Sequence, residues 1–313
     1  MKSEIFPSFT ALPRLSNGLR AAWGVFGDDD DLGSANLLTD EVVVRAAVDE
    51  IRTGRRINVS LPLTEPSPTF FGRQKLRHAI FDIGPVSQDD KVDDFYLQGS
   101  SQWDGLRHRR DPEVGFYNAV RASDAGESGD RLGADAWAAG GLIGRGVLID
   151  VKRNANMGDY NPLSAVRIGR SDLQTALDKQ CQVLRAGDIL LIHTGYIDAF
   201  LAADECTRER ARDLDGAVGL VPDEDMAEFL WDNGIAAVAV DNPAVEVWPR
   251  DNTVPSLHGR LIPMLGFVLG EFFDFRELSK VCAEESRYSC FFVSVPLNLP
   301  GAVGSPANAI VVL

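Results

Sequence analysis

The segment LQGSSQWDGLRH, at residues 97–108, holds the densest set of side chains that could do chemistry. It places two amides, a carboxylate and an imidazole within eleven residues: Gln98, Gln102, Asp104 and His108. Hard oxygen donors beside an imidazole suit a divalent cation, and a bound cation can generate hydroxide from water at neutral pH. The same four groups also fit a hydrogen-bonded turn without a ligand, so their spacing leaves both interpretations open.

Another histidine–carboxylate pair lies far along the chain. His258 opens the segment LHGRLIPMLGFVLGE, and Glu271 follows thirteen residues later. On a regular helix this spacing points the two side chains about 140° apart. They would share a site only if Pro263, or a glycine from Gly266 to Gly270, breaks or ends the helix. A surface histidine and a surface glutamate are the alternative.

The ends of two apolar runs supply further candidates. His193 ends DILLIH, and Asp241 directly follows IAAVAV. The carboxyl ends of strands open toward ligands in α/β sheets, which favours a site role for both residues. A structural role fits equally well, because an aspartate after a strand also caps turns. Asp241 is taken as a candidate for substrate binding.

The elements that position these residues alternate between strands and helices from residue 146 to 245. The apolar runs GVLIDV (146–151), DILLIH (188–193) and IAAVAV (235–240) are typical of strands buried on both faces. Further predicted strands are INVSLPL (57–63), HAIFDI (78–83), DFYLQ (94–98), CFFVSV (290–295) and AIVVL (309–313). Predicted helices run from Thr39 or Asp40 to Gly54 and over 171–184, 223–234, 258–270 and 275–283. The pattern predicts one α/β domain with a mixed sheet over residues 1–313.

Composition excludes several classes of protein. The 313 residues are 45% hydrophobic and 25% charged, which is typical of a globular chain. The net charge of −15 would repel phosphate backbones and anionic lipids, so we expect neither a nucleic-acid nor a membrane partner. Four dispersed cysteines and no secretory signal predict reduced thiols in a cytoplasmic protein. A small-molecule substrate remains as the expected partner. The sequence has no GxxxxGK[ST], HExxH or GxSxG motif, so it gives no support to a phosphate-binding loop, a zincin or a serine esterase.

Several segments together resemble the cyclase family, whose known members include bacterial kynurenine formamidase and isatin hydrolase. They are WGVFGDDDDLGSANLLTDE, RTGRRINVSLPL, QGSSQWDGLRH, GRGVLIDV, AGDILLIHTGY, LHGRLIPMLGFVLGE and PLNLPGAVGSP. The resemblance covers nearly the whole chain in the same order. It implies a swivelling β/β/α fold and a homodimer or homotetramer. The irregular N-terminal segment 1–38, around Trp23, is a candidate for contact with a neighbouring subunit. The polar segment 121–135 is predicted to form a surface insertion or a lid.

The family's hydrolytic motif, HxGTHxDxPxH, is altered here. Asp104 and His108 keep their positions, whereas Gln98 and Gln102 replace the two earlier histidines and Leu106 replaces the proline. The QWDGLRH version is similar to a branch of longer family members. Neutral amide oxygens bind zinc less well than imidazoles. The resemblance implies manganese or zinc as the cofactor, and the glutamines should weaken binding or shift it toward manganese or magnesium.

The resemblance implies a metal-dependent hydrolase that opens a small cyclic or acyl amide or a lactone. It matches His258 and Glu271 with the later histidine and glutamate that serve the family's metal site. The predicted metal-binding residues are Gln98, Gln102, Asp104, His258 and Glu271. His108 is the predicted general acid/base, with Asp104 and Glu271 as the other catalytic residues. The predicted substrate-binding residues are Trp103, Phe116, Tyr117, Tyr196 and Asp241. The alternatives are a metal-independent acid/base cyclase or dehydratase, and a degenerate member without activity.

Overall fold

A computed structural model describes residues 6–125, 131–155, 157–213 and 215–313. Part of the candidate lid, residues 126–130, lies outside the described residues. The described strands, in chain order, are β1 (Arg56–Asn58), β2 (Arg77–Asp82), β3 (Gln88–Asp93), β4 (Gln102–Asp104), β5 (Leu142–Asp150), β6 (Arg167–Ile168), β7 (Ile189–His193), β8 (Gly219–Leu220), β9 (Ala237–Val240), β10 (Val268–Glu271), β11 (Ser289–Ser294), β12 (Gly304–Pro306) and β13 (Ala309–Val312). The described α-helices are α1 (Asp40–Glu50), α2 (Ala122–Ala125), α3 (Val151–Asn154), α4 (Arg170–Lys179), α5 (Tyr196–Ala202), α6 (Glu205–Arg212), α7 (Glu224–Asp232), α8 (Leu257–Arg260) and α9 (Arg276–Glu285).

A mixed sheet organises the domain. Its nine strands run in the order β1-β13-β11-β5-β7-β9-β10-β4-β12. The central strands β5, β7, β9 and β10 are parallel, and the outer pairs are antiparallel. The central strands are almost entirely buried, as their apolar runs predicted. The single α/β domain with a mixed sheet is therefore confirmed, and the carboxyl ends of the four parallel strands meet at one edge.

The local signals of the sequence are mostly confirmed. The first α-helix begins after Thr39, whose hydroxyl accepts the Val42 N–H at 3.4 Å. The strand predicted over 94–98 is wrong, because no strand covers these residues. The strand lies instead at the acidic segment Gln88–Asp93, which pairs with β2 as a separate hairpin. Both hairpin strands are exposed, so β3 has no buried apolar face. The alternating pattern by which a strand is predicted from sequence is therefore missing.

The helix predicted over 258–270 is also wrong, and the difference builds the site. Helix α8 continues as a π-helical turn, Leu261–Leu265, which ends at Gly266. The φ of Gly266 is 69°, in the left-handed region that favours glycine, and a Cβ there would lie 2.7 Å from the ring of Tyr117. The chain then returns to the sheet as β10. Glu271 therefore stands on a strand, and the helical separation from His258 does not apply.

The N-terminal segment packs on its own chain. The indole N–H of Trp23 donates to the carbonyl of Pro263 at 2.8 Å. The ring of Phe6 stacks on Trp231 with a centroid distance of 4.6 Å. These contacts hold the segment around Trp23 against its own chain. No described helix has the length and apolar character needed to cross a membrane.

Candidate active site

Neighbouring strands bring the predicted site residues onto one face of the sheet. Strand β4 pairs with β10, so that Gln102 lies opposite Glu271 and Asp104 lies opposite Leu269. Alternate residues of a strand point to opposite faces, so Gln102, Asp104 and Glu271 share a face. The Gln102 amide N–H donates to Glu271 Oε2 at 2.7 Å. The sheet register thus joins two segments that lie far apart in the sequence.

His258 lies between three carboxylates. Its Nε2 is 3.2 Å from Glu271 Oε1 and 3.4 Å from Asp104 Oδ2. Its Nδ1 lies 3.0 Å from Glu246 Oε2, which also accepts the backbone N–H of His258 at 2.9 Å. Each of the three carboxylate groups is almost fully buried. The described structure therefore gathers Asp104, His258 and Glu271 with one potential ligand atom each, all within 4.8 Å of one another.

His108 lies on the wall beside this cluster. The amide nitrogen of Gln98 lies 2.9 Å from His108 Nδ1 and also donates to Asp104 Oδ1. The other ring nitrogen, Nε2, is 3.8 Å from Asp104 Oδ2. The rings of His108 and His258 have a centroid distance of 6.3 Å. Gln98 thus fixes the orientation of His108 against the carboxylate.

The charges of the cluster depend on one another. Burial lowers the pKa of His108, which favours the neutral imidazole, and Asp104 only partly offsets it. Burial also disfavours a charged His258, but Glu246, Asp104 and Glu271 outweigh it and raise the pKa of His258 well above its ordinary value. Burial and the Asp104 carboxylate raise the pKa of Glu271. The cluster therefore places a neutral imidazole next to a charged one.

Two buried atoms of the cluster have no hydrogen-bond partner. They are Gln102 Oε1 and Asp104 Oδ2. Buried polar atoms are nearly always satisfied, and Asp104 Oδ2 has only the 3.4 Å ion-pair contact with His258 Nε2, so these two oxygens indicate the place of a ligand. Carboxylate and amide oxygens with one imidazole suit a hard divalent cation. The donor set thus fits a metal ion, except for Gln98, which faces the cluster with its amide nitrogen and so offers no ligand atom there.

The cluster opens into a cleft with a cavity volume of about 270 Å³. Residues from several loops, from helix α8 and from strand β10 form its walls. They are Phe71, Arg73, His108, Arg109, Ala244, Glu246, Trp248, Arg250, His258 and Glu271. A cleft with polar groups at its base and aromatic rings at its mouth is a typical place for a small ligand.

Comparison of the sequence and structure with known proteins assigns the chain to a family. The family profile of the cyclases matches residues 57–247, which is more than half of the chain. The chain belongs to the cyclase family. A crystal structure described as a novel cyclase has 36% sequence identity and a TM-score of 0.83, covering 94% of this chain and 99% of that one. No curated protein matches the sequence significantly.

More distant solved structures share the fold. Isatin hydrolase A from Labrenzia aggregata, bound to benzyl benzoate, has 13% identity and a TM-score of 0.58, covering 87% of this chain and 97% of that one. A protein described as a potential metal-dependent hydrolase with cyclase activity has 16% identity and a TM-score of 0.50, covering 82% of this chain and 98% of that one. At these identities the likeness shows the fold alone.

Trp103 does not line the cleft. Its side chain is fully buried, its ring meets Phe273 edge-on at 5.0 Å, and its indole N–H donates to Ser294 Oγ at 2.8 Å. The predicted role in substrate binding is therefore wrong. The reason is the alternation of β4: Gln102 and Asp104 face the site, so the residue between them faces the core.

The other predicted substrate-binding residues also lie outside the cleft. Phe116 packs against the core, and Tyr117 is buried with its hydroxyl donating to Asp30 at 3.1 Å. Tyr196 is buried and stacks on Phe200. Asp241 accepts the backbone N–H groups of Thr194 and Gly195, which is the structural alternative considered for it. These residues stabilise the walls, and the cleft takes its aromatic surface from Phe71 and Trp248 instead.

The second candidate histidine is structural. His193 Nδ1 lies 3.1 Å from Asp150 Oδ1, and its Nε2 lies 2.9 Å from Asp198 Oδ2. Asp241 is a third carboxylate near the ring, at 3.9 Å. These groups could also be arranged around a cation. Both ring nitrogens already have a carboxylate partner, however, so a protonated His193 satisfies the group without a ligand.

Three residues of the site carried little or no sequence signal. Glu246 follows Asp241 by five residues in the loop after β9, so strand-end reasoning came close to it. Arg73 and Phe71 stand in an irregular loop between β1 and β2. No periodicity or motif marks them, and only the path of the loop places them at the cleft.

Proposed function

We propose that this chain is a metal-dependent hydrolase that opens a small cyclic or acyl amide or a lactone. The observation that carries the proposal is the meeting of Asp104, His258 and Glu271, of which His258 and Glu271 line the cleft together with His108. The shared fold supports it, because structural neighbours include isatin hydrolases and a potential metal-dependent hydrolase. The motif changes at Gln98 and Gln102 alter the ligand set without removing the cluster.

Asp104, His258 and Glu271 would hold the divalent cation, and Gln102 would add a neutral oxygen. A cation bound there polarises a carbonyl and lowers the pKa of water. Glu246 would accept a hydrogen bond from Nδ1–H of His258, and Nε2, once its proton has left, would serve as a ligand, a common arrangement around metal-binding histidines. An oxygen-rich set with one imidazole favours manganese over zinc.

His108 would transfer the proton. Burial favours its neutral form, and Nε2 is the ring nitrogen that faces Asp104 and the cleft. Nε2 would take a proton from water and return it to the leaving nitrogen or oxygen. For Nε2 to take a proton, the neutral ring must carry its own proton on Nδ1, so the Gln98 amide would turn its oxygen toward Nδ1 and give up its hydrogen bond to Asp104. Gln98 would thus hold the ring while its proton moves.

Metal dependence is the first test. We expect EDTA to abolish hydrolysis and added Mn²⁺ to restore it. The Glu246→Gln variant should bind Mn²⁺ about 10- to 100-fold more weakly, because His258 loses its orienting carboxylate. Calorimetric titration with Mn²⁺ measures this change, and Glu41→Gln, an exposed helical glutamate, is the matched control. A chain that binds neither manganese nor zinc would exclude the mechanism.

A metal-independent acid/base cyclase or dehydratase is the second candidate. The hydrogen bonds favour it: Gln98 and Gln102 donate to the carboxylates, and His258 lies within bonding distance of two of them. The buried acids are thereby partly satisfied by the chain itself. Turnover that survives EDTA but is lost in His108→Ala would select this candidate over the hydrolase.

We also propose that the chain forms a homodimer or homotetramer through the hairpin of β2 and β3. A two-stranded hairpin exposed on both faces is marginally stable alone. Ile80 and Val86 are 63% and 91% exposed on it. We expect Ile80→Glu to lower the molar mass measured by light scattering to that of a monomer, while Val48→Glu, an exposed position on α1, keeps the assembly. A monomeric parent chain would refute the proposal.

A further inference from the structure

Three arginines line the cleft, and each comes from a different segment of the chain. Arg73 precedes β2, Arg109 follows β4, and Arg250 follows β9. Arg73 and Arg250 are half-buried, and Arg109 is exposed at the rim. In a chain with a net charge of −15, three guanidinium groups around one small cleft offset the negative charge of Glu246 and Glu271, which line it too.

Aromatic rings and one loop residue hold two of these guanidinium groups. Arg73 lies over the ring of Phe71 at 5.0 Å, and Arg250 lies over Trp248 at 5.9 Å. Arg250 also donates to Asn252 at 3.2 Å. Within the described ranges, none of the three arginines has a carboxylate within the 4.0 Å of an ion pair. Their N–H groups remain available to an anion from solution.

The rim also acts on the groups beneath it. Arg73 attracts the carboxylates of Asp104 and Glu271, and the positive charges of Arg73 and Arg109 disfavour a protonated His108. The positive charge of Arg250 likewise attracts the Glu246 carboxylate and favours its ionised form. All three arginines line the same cleft as His108, Glu246 and Glu271, so one small molecule can span both sets of groups.

We propose that the substrate of this cleft is a small carboxylate, whose anionic group is bound by Arg73, Arg109 and Arg250 while its amide or lactone faces Asp104 and His108. The inference rests on the proposed function and names its substrate class. A guanidinium fork matches the two oxygens of a carboxylate. Three carboxyl groups lie beneath the rim, so a singly charged anion is repelled less than a phosphate. Phe71 and Trp248 add aromatic surface to the same cleft, which suits an apolar body on the substrate.

Matched pairs of probes test this by calorimetry. The pairs are benzoate and benzamide, hippurate and hippuramide, and glutarate and glutaramide, each titrated into the full chain with EDTA and again with Mn²⁺. The EDTA arm separates binding to arginine from binding to a cation. We expect at least one carboxylate to bind at least 10-fold more tightly than its amide. Arg73→Gln, Arg109→Gln and Arg250→Gln should each remove about 10-fold of that preference, and Arg52→Gln, an exposed arginine outside the cleft, should not.

Three outcomes would overturn the inference: no carboxylate binds more tightly than its amide, Arg52→Gln weakens binding as much as the rim variants, or inorganic phosphate binds as tightly as the best carboxylate. Turnover of neutral lactones alongside any of these would leave the proposed hydrolase intact. If carboxylates bind through the rim arginines but no amide or lactone is hydrolysed, the binding result would support this inference and the missing hydrolysis would contradict the proposed hydrolase.

Discussion

Replacing His108 with alanine is expected to lower kcat/KM for the cleaved amide or lactone by about 10²- to 10⁴-fold, the usual contribution of a general acid/base. The imidazole is the titratable group on the cleft wall that Gln98 holds with one nitrogen facing Asp104. Removing it leaves the cation ligands in place, so Mn²⁺ affinity should hardly change. Rate loss with retained metal binding would separate proton transfer from metal binding.

The control is His78→Ala, which removes an exposed histidine paired with Asp90 on the hairpin. We expect it to keep full activity. The thermal midpoint of His108→Ala should stay close to that of the parent chain, because the ring is partly exposed and its protein contacts are few. If His108→Ala keeps full activity, proton transfer by this residue is refuted. If a broad screen of amides, lactones and esters finds no turnover in the parent chain, the non-catalytic alternative is favoured.

The parts of the site that the sequence predicted are those with a strong local pattern or a family motif. Asp104 and His108 stand at fixed positions of the motif, and the motif places them together in the structure. His258 and Glu271 came from the resemblance, against the helical spacing. The helical separation does not apply because Gly266 ends the helical segment. A break at one of these glycines is the condition under which the sequence allowed the two residues to meet.

The parts that could not be predicted depend on the path of loops. Phe71 and Trp248 form the aromatic surface of the cleft, yet neither belongs to a periodic element. The predicted aromatic residues instead filled the core, where large apolar side chains gain most from burial. Trp103 could have been excluded from the sequence, since a strand that points Gln102 and Asp104 at the site points the residue between them away.

His193→Gln is expected to lower the free energy of unfolding by about 1.5 to 3 kcal/mol, because it removes one of the two cationic partners of the buried Asp150 carboxylate and leaves Arg153, at 3.3 Å, as the other. Burial opposes the charge on His193, but Asp150, Asp198 and Asp241 outweigh it and raise its pKa to about 10. The unfolded chain has a histidine pKa of about 6.5. Urea unfolding at pH 7 measures the loss, and His78→Gln is the control for an exposed histidine pair.

The pH dependence distinguishes this charged network from simple packing. The folded state holds the His193 proton more tightly than the unfolded state, so the stabilisation is complete below about pH 6.5 and is lost as the pH rises toward 10. The parent chain should therefore lose up to about 1.4 kcal/mol per pH unit from this group across that range, and His193→Gln should lack that slope. Parallel curves for the two proteins would show that His193 is neutral in the folded state. The carboxylates at the edge of the parallel strands would then need another source of positive charge, and the cation arrangement set aside for this group would become the better explanation.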